Sequence, residues 1–364
     1  MNESLSISLE PLKMGQMFDR AFRIYRVHFW KLIGIAAVAQ IISFLFQSGI
    51  GIFSTISFGQ SFQDQVNTDP FAIFDGSFAI LIVLGILAWV VIIIAGLLTQ
   101  AALVKGISQA MLGEEFTVSS AYQDILPSLG KLLLLTLALF GLAIAILIWF
   151  IIPCVGWFTG LGMLFFFGFV SAFAVPILIL EGRNPGESIT RAWFLARRRF
   201  WQVVGYALLL GLLTGVLTGG LGFLIGLGSQ AALASNPSTG ALIATQLVQV
   251  GFTTIITAIV TPFTIIAYLL FYFDLRVRTE GFDLTLKSQM NSGMKPADIV
   301  AITPNDTQES FITGQDMLNF FLLTLAFVAI YAVIFGILFG ALMAMGPQVG
   351  EIFEEISGTL EAGQ

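Results

Sequence analysis

Apolar residues form long runs along this chain, and polar residues come between the runs in short clusters. A helix needs about 20 mostly apolar residues to cross the hydrocarbon layer of a membrane. Seven runs are long enough, and they predict seven transmembrane helices. Their approximate ranges are 31–51, 78–104, 132–152, 160–180, 202–226, 243–273 and 317–345. The last two exceed the minimum length, which predicts tilt or an extension beyond the membrane.

The composition excludes an ordinary soluble domain. Of the 364 residues, 57% are hydrophobic and 10% are charged, and the mean hydropathy is +0.93. A soluble domain has about 25% charged residues. We therefore predict an all-α polytopic membrane protein.

The first residues lack a basic start followed by an apolar stretch, so no cleavable signal peptide is expected. The single cysteine, Cys154, excludes an internal disulfide.

Basic residues sort to one side of the predicted membrane. All 16 Lys and Arg residues lie in the N-terminal segment or in 105–131, 183–199 and 276–295. These segments share one side if all seven spans form, and the intervening loops and the tail after residue 345 contain no base. Because basic loops face the cytoplasm, we predict a cytoplasmic N-terminus and a C-terminus outside.

Two basic segments are similar to each other, namely "RAFRIYRVHFW" (20–30) and "RAWFLARRRFW" (191–201). In both, apolar positions recur at intervals of four, three and four, which places them on one helical face, and segment 118–129 has the same spacing. Basic amphipathic helices with aromatic residues are typical of the membrane–water interface. We predict such helices at 14–29, 117–129 and 187–200.

The predicted domains follow from this pattern. Three repeats, each an interfacial helix followed by two spans, cover 10–104, 115–181 and 185–278. Residues 1–290 then form a six-span membrane domain, 291–316 a cytoplasmic linker, and 317–364 a seventh span with an acidic outer tail.

The arginines of the interfacial helices are expected to be a solvated edge or to contact anionic lipid headgroups or a partner. They are Arg20, Arg23, Arg26, Arg191, Arg197, Arg198 and Arg199.

The passage "FYFDLRVRTEGFDL" (271–284) ends the sixth run with alternating acids and arginines. Asp274 and Arg278 are four residues apart and can pair along a helix. Gly281 can supply the left-handed residue that ends the helix. We predict a membrane-exit cap of Asp274, Arg276, Arg278, Glu280 and Gly281, with a functional acidic group as the alternative. If the Asp274 pair is exposed or half-exposed, neutralising it costs only about 0.2–1 kcal/mol.

The same passage resembles the signature that closes the membrane domain of bacterial glycerophosphoryl diester phosphodiesterases. The segments "DRAFRIYRVHFWKL" and "SITRAWFLARRRFWQVVGY" are similar to the same family, so the resemblance covers about 10–290. It implies a stand-alone form of that domain in a bacterial plasma membrane, without the catalytic barrel that some relatives add. The resemblance implies no chemistry for these motifs.

Glycines recur at four-residue intervals in two spans. Gly211, Gly215 and Gly219 lie in the fifth run, and Gly336 and Gly340 lie in the last. Small residues at this spacing let helices approach closely. We expect packing within the monomer, with a seam between copies of the chain or a flexible gate as alternatives.

The sequence contains no pattern that points to catalysis. Ionisable residues stay out of the middle of the spans, and Lys105, Glu181 and Asp274 lie at the inner edge. Phosphate-loop, zinc-protease and nucleophile-elbow motifs do not occur. We therefore expect no enzyme activity, no cofactor and no metal site.

Two function classes remain. The first is a non-catalytic scaffold, partner-binding or lipid-contacting module. Its expected partners are the bilayer with its anionic headgroups and other membrane proteins or copies of the chain, and nucleic acid is not expected. The second is a transporter or permease for a lipid or an uncharged small solute. A water-accessible cavity lined by Gln100, Gln246, Gln249 or Tyr331 would favour the second class.

Overall fold

The computed structural model describes residues 12–58, 76–235, 238–291, 299–302 and 312–362, and no strand occurs among them. The helices are α1 (Met14–Val27), α2 (Phe29–Phe58), α3 (Gly76–Met111), α4 (Val118–Ile125), α5 (Leu129–Trp149), α6 (Val155–Leu180), α7 (Pro185–Arg197), α8 (Phe200–Gly215), α9 (Leu221–Ser235), α10 (Thr239–Glu280), α11 (Phe282–Asn291) and α12 (Gly314–Ala362). A π-helical turn, Val216–Gly220, joins α8 to α9.

The predicted helical membrane class with seven spans is confirmed. Within the described ranges, seven helical stretches are long and apolar enough to cross a membrane. They are Phe29–Ser57, Ala79–Met111, Val118–Trp149, Val155–Leu180, Phe200–Ala234, Thr239–Glu280 and Gly314–Ile337. The 42 residues of α10 measure about 63 Å at 1.5 Å per residue. This is about twice the hydrocarbon thickness, so α10 is long enough to extend beyond the membrane, as its apolar run predicts.

The three short amphipathic segments are helical and begin with local capping signals. Thr117 caps α4, since its side chain accepts a hydrogen bond from the Ser120 N–H at 3.1 Å. Pro185 is the first residue of α7, and Asn184 and Glu187 form a capping box before it. Each short helix leads into a long apolar helix. Their placement along the membrane surface and the threefold repeat remain predictions.

Part of the apolar surface of these short helices contacts protein. Phe18 of α1 stacks on Tyr206, with ring centroids 5.4 Å apart. The Tyr25 hydroxyl donates to the Ile259 carbonyl at 2.8 Å. In α7, Trp193 is buried, whereas Phe22 of α1 is 58% exposed. The apolar faces therefore serve helix packing as well as any contact with lipid.

The chain divides into two compact units. Unit 1 comprises Met1–Gly141 and Gly168–Phe311, and unit 2 comprises Leu142–Phe167 and Ile312–Gln364. Helix α10 is the central element of unit 1, because it contacts α1, α2, α3, α7, α8 and α9. In unit 2, the Gly162 N–H donates to the Thr324 hydroxyl at 2.9 Å. The domain boundaries that we drew from the sequence remain a prediction.

The expectation that the spaced glycines pack helices within the monomer is wrong. Apart from the chain neighbours and the nearby backbone of the same helix, no described atom lies within 4 Å of a Cβ built at Gly211, Gly215, Gly219, Gly336 or Gly340. Four-residue spacing puts small residues on one face, but it does not bring a second helix to that face. Close approaches occur at other glycines. A Cβ at Gly162 would lie 2.3 Å from the Phe320 carbonyl oxygen, and a Cβ at Gly106 would lie 3.1 Å from the Phe116 ring.

Candidate functional site

Four charged side chains converge where α10 ends, and we call them the charge cluster: Glu181, Arg191, Arg276 and Glu280. Arg276 Nε lies 3.2 Å from Glu280, and Arg191 Nη2 lies 3.0 Å from the same carboxylate. Arg191 Nε pairs with Glu181, and Arg276 Nη1 lies 3.8 Å from Glu181. The side chains of all four are at most 5% exposed.

Arg276 makes further contacts that fix its guanidinium. It donates to the carbonyl oxygens of Val300 at 2.8 Å and Ile302 at 2.7 Å. Its guanidinium carbon lies 4.2 Å from the centre of the Phe282 ring. The Tyr272 hydroxyl donates to Glu181 at 2.5 Å. The cluster therefore joins the end of α6, helix α7, the end of α10 and residues 299–302.

The charges of the cluster balance one another. Two carboxylates face two guanidiniums, and Arg183 adds a contact of 3.2 Å to Glu181. Burial lowers the pKa of Arg191, but the Glu181 and Glu280 carboxylates more than offset this effect and raise it. Arg191 therefore stays protonated at every physiological pH. An arrangement in which each charge is paired and excluded from water suits a structural clamp.

A second ion pair binds the backbone of Leu12, the first described residue. Asp274 accepts hydrogen bonds from Arg278 Nε at 2.7 Å and from the Leu12 N–H at 2.9 Å, and Arg278 also donates to the Leu12 carbonyl at 2.8 Å. Asp274 is 4% exposed, whereas the Arg278 side chain is 25% exposed, so the pair is buried at the carboxylate and half-buried at the guanidinium. Gly281 has φ +64° and ψ 34° and ends α10 in the left-handed conformation, as its position after the charged turn predicts.

The arginines of α1 and α7 differ in their surroundings. Arg191 is buried, so its expected contact with lipid is wrong, because α7 turns this side chain towards two carboxylates. Arg20 is half-buried, while Arg23, Arg26, Arg198 and Arg199 are exposed. Burial, and then the Arg23 charge, lower the pKa of Arg20. Arg197 lies over the Phe194 ring at 5.1 Å.

A cavity of about 550 Å³ lies within unit 1, and we call it the polar cavity. Helix α10 contributes Thr257, Thr261, Thr264 and Tyr268 to its wall. Gln40 of α2 and Gln100 of α3 line it as well. None of the described residues that line it is Asp, Glu, Lys, Arg or His.

One of the four residues expected to mark a transport cavity lines the polar cavity. That residue is Gln100. Gln246 instead accepts a hydrogen bond from Thr55 at 3.2 Å. Gln249 and Tyr331 are exposed and are not among the lining residues.

Sequence reasoning missed a stripe of hydroxyl groups on the sixth span. Thr257, Thr261, Thr264 and Tyr268 follow one another at intervals of four, three and four, which places them on one helical face. A polar stripe inside an apolar run was therefore readable from spacing alone. Glu181 was recognised only as a residue at the inner edge of a span, since nothing local shows that it meets α7 and α10.

Among the described residues, no group of three or more His, Cys, Asp or Glu side chains could hold a metal ion. The helices, their apolar surfaces and the polar groups between them define a multi-pass α-helical membrane protein.

Residues 148–303 match a family model described as the membrane domain of glycerophosphoryl diester phosphodiesterase. The predicted resemblance is confirmed over this range, which contains the whole charge cluster and excludes the N-terminal segment 19–32. The match is to the membrane domain of that enzyme family and not to its catalytic domain. No curated protein and no solved structure matches the chain.

Proposed function

We propose that this chain is a non-catalytic multi-pass protein of the bacterial plasma membrane whose cytoplasmic face contacts anionic lipid. The supporting observation is a pair of similar helix junctions. At the α1–α2 junction, Trp30 is 82% exposed beside Lys31, and at the α7–α8 junction, Trp201 is 52% exposed near Arg199.

Exposed tryptophans next to basic residues suit the boundary between lipid and water. Tryptophan is enriched at the level of the headgroups, and each base near an anionic surface contributes about 1 kcal/mol of attraction. The exposed side chains of Arg26, Arg198 and Arg199 add to this surface. The cytoplasmic N-terminus and the outside C-terminus are part of the proposal, because they place both junctions at the anionic inner leaflet.

The absence of catalysis is supported by the pairing within the charge cluster. A general acid or base must reach a substrate proton. Glu181 and Glu280 are instead occupied by arginines and are nearly excluded from solvent.

Lipid retention tests this function. We would reconstitute the full chain in nanodiscs containing phosphatidylglycerol and phosphatidylcholine and count retained lipids by native mass spectrometry. Replacing Arg197, Arg198 and Arg199 with Gln should reduce the retained phosphatidylglycerol. The matched control replaces Lys13, Lys105 and Lys131 with Gln and should change it less. Equal retention by both variants and the unchanged protein would refute lipid contact at this junction.

Cysteine labelling tests the orientation. The exposed Cys154 is first replaced with Ser, and single cysteines are then placed at positions 23 and 355. An impermeant reagent added outside the cell should label position 355 and leave position 23 unlabelled. Labelling of position 23 would overturn the proposed topology.

A second candidate function is a transporter or permease for a lipid or an uncharged solute. The polar cavity favours it, because such a cavity has little use in a scaffold. If the chain moves lipid, dithionite added to proteoliposomes would quench more than the half of the fluorescence that comes from the outer leaflet. Quenching limited to half of the fluorescence, as in protein-free vesicles, would exclude movement of that lipid.

A further inference from the structure

The two glutamines of the polar cavity lie within the apolar runs of their helices. Gln40 lies 11 residues into α2 (29 to 40), and Gln100 lies 11 residues before the end of α3 (100 to 111). At 1.5 Å per residue each position is about 16 Å from its helix end. Gln40 lies nine residues after the start of its apolar run at residue 31, about 14 Å, and Gln100 lies five residues before Lys105, about 8 Å. Both amides therefore lie within the apolar part of their spans.

Most threonine hydroxyls of the cavity already donate a hydrogen bond to a backbone carbonyl. Thr257 donates to the Thr253 carbonyl at 2.8 Å, and Thr264 donates to the Val260 carbonyl at 3.0 Å. Thr214 and Thr218, which also line the cavity, donate to the carbonyls of Leu210 and Thr214, each at 2.8 Å. Each of these oxygens keeps a lone pair, so these hydroxyls can accept hydrogen bonds from a ligand.

The two glutamines supply donors and further acceptors. A carboxamide has two N–H donors and one carbonyl acceptor. No hydrogen bond joins the side chain of Gln40 or Gln100 to another described residue. An unsatisfied polar group in hydrocarbon costs several kcal/mol, so these amides must be met by water or by a polar ligand.

The backbone is irregular beside the same cavity. Thr218 belongs to the π-helical turn Val216–Gly220. Such turns inside helices are frequent at functional sites. Gly219 and Gly220 belong to this turn, and Gly215 and Gly222 lie beside it.

We propose that the polar cavity binds an uncharged, hydroxyl-rich group, either as the headgroup of a neutral glycolipid or as a free sugar or polyol. Hydroxyl groups would donate to the threonine oxygens and exchange hydrogen bonds with Gln40 and Gln100. An ionised group would find no counter-charge among the described lining residues. The volume of about 550 Å³ lies within the usual range for ligand pockets, about 300–1,000 Å³. This inference deepens the second candidate function and concerns binding at its cavity.

Binding of defined probes tests the proposal. The full chain is placed in phosphatidylcholine nanodiscs with either monoglucosyl diacylglycerol or diacylglycerol, and retained lipid is counted by native mass spectrometry. Labelled methyl glucoside is tested separately by equilibrium dialysis. We expect retention of the glucosyl lipid over diacylglycerol if the ligand is lipid-borne, and binding of methyl glucoside if it is a free solute. Either result supports the site and shows whether its ligand is lipid-borne or a free solute.

Variants connect that binding to the cavity. Gln40→Leu combined with Gln100→Leu should weaken probe binding about tenfold, the effect of losing one or two net hydrogen bonds. The protein should still fold, because these amides have no partner among the described residues. Ala172→Leu narrows the cavity without removing a polar group and should also weaken binding. Gln249→Leu, a glutamine of α10 outside the cavity, is the matched control.

Three results would overturn the proposal. They are equal retention of glucosyl lipid and diacylglycerol with no methyl glucoside binding, probe binding unchanged in the glutamine and Ala172 variants, and phosphatidylglycerol retention that depends on Gln40 and Gln100. The proposed lipid contact at the helix junctions is measured by the arginine variants instead. If either the cavity experiment or the arginine experiment fails, the other can therefore still be interpreted.

Discussion

Two polar regions lie along α10, and they differ in how their hydrogen-bonding groups are used. In the charge cluster, Arg276 uses its guanidinium on Glu280 and on two carbonyls. In the polar cavity, 8 to 19 residues earlier on the same helix (276 to 268 and 257), several hydroxyls offer open lone pairs and two amides have no hydrogen-bond partner among the described residues. Groups that are fully paired within the protein suit stable contacts between helices, whereas groups with free hydrogen-bonding capacity suit reversible binding of a ligand.

The largest expected effect comes from removing the centre of the charge cluster. Arg276→Met leaves Glu280 with Arg191 alone and Glu181 with Arg191 and Arg183. Breaking a buried ion pair costs about 3–5 kcal/mol. We expect a large drop in the unfolding temperature in mild detergent. Adding Glu280→Gln should recover part of the loss, and Arg26→Met is the exposed control. A stability within about 1 kcal/mol of the unchanged protein would contradict the clamp.

Two tyrosines one turn apart on α10 allow a direct comparison, since Tyr272 belongs to the charge cluster's surroundings and Tyr268 lines the polar cavity. Tyr272 donates to the buried Glu181, and a hydrogen bond to a charged group contributes about 1.5–3 kcal/mol. Tyr268 lines the cavity and keeps its ring contacts with Phe169 and Phe173 when the hydroxyl is removed. We expect Tyr272→Phe to cost about that amount and Tyr268→Phe to stay within about 0.5 kcal/mol. Equal losses in chemical or thermal unfolding would remove the distinction between the regions.

Neutralising Asp274 tests the ion pair that holds Leu12. The sequence alone predicts a small effect, but Asp274 is buried and accepts two hydrogen bonds. Since Asn keeps one acceptor oxygen, we expect Asp274→Asn to cost about 1–2 kcal/mol. Asp19→Asn, at an exposed position of α1, should leave the unfolding temperature unchanged. If both variants melt alike, the Leu12 contact contributes no stability.

The smallest expected effect is a dependence on pH outside both regions. His28 is the single histidine of the sequence. Burial, and then the Lys31 charge, lower its pKa below 6.5. The unfolded chain therefore binds the proton more readily, so stability is complete above pH 6.5 and falls as the pH drops through the folded pKa. We expect a slightly lower melting temperature at pH 5.5 than at pH 7.5, and a smaller difference in His28→Gln. The same difference in both proteins would assign the effect to carboxylates.

The helices were predictable from sequence because each is encoded locally. Long apolar runs, the Asn184–Pro185–Glu187 start signal of α7 and the left-handed Gly281 need no knowledge of distant residues. The charge cluster was not predictable in the same way, since Glu181 and Arg276 meet only after the chain has folded back. The glycine expectation was wrong for a related reason. Spacing shows which residues share a face, and only the tertiary structure shows what lies against it.

The contacts of Leu12 have a consequence for biosynthesis. Leu12 bonds to Asp274, and Arg276 bonds to the Ile302 carbonyl, so the first described residue cannot take its final place until 262 further residues have been made. At about 5–20 residues per second, translation needs on the order of 10–50 s for this length. Unit 1 therefore closes late, after most of its spans have entered the bilayer, and a chain truncated before residue 300 would lack both carbonyl groups to which Arg276 donates.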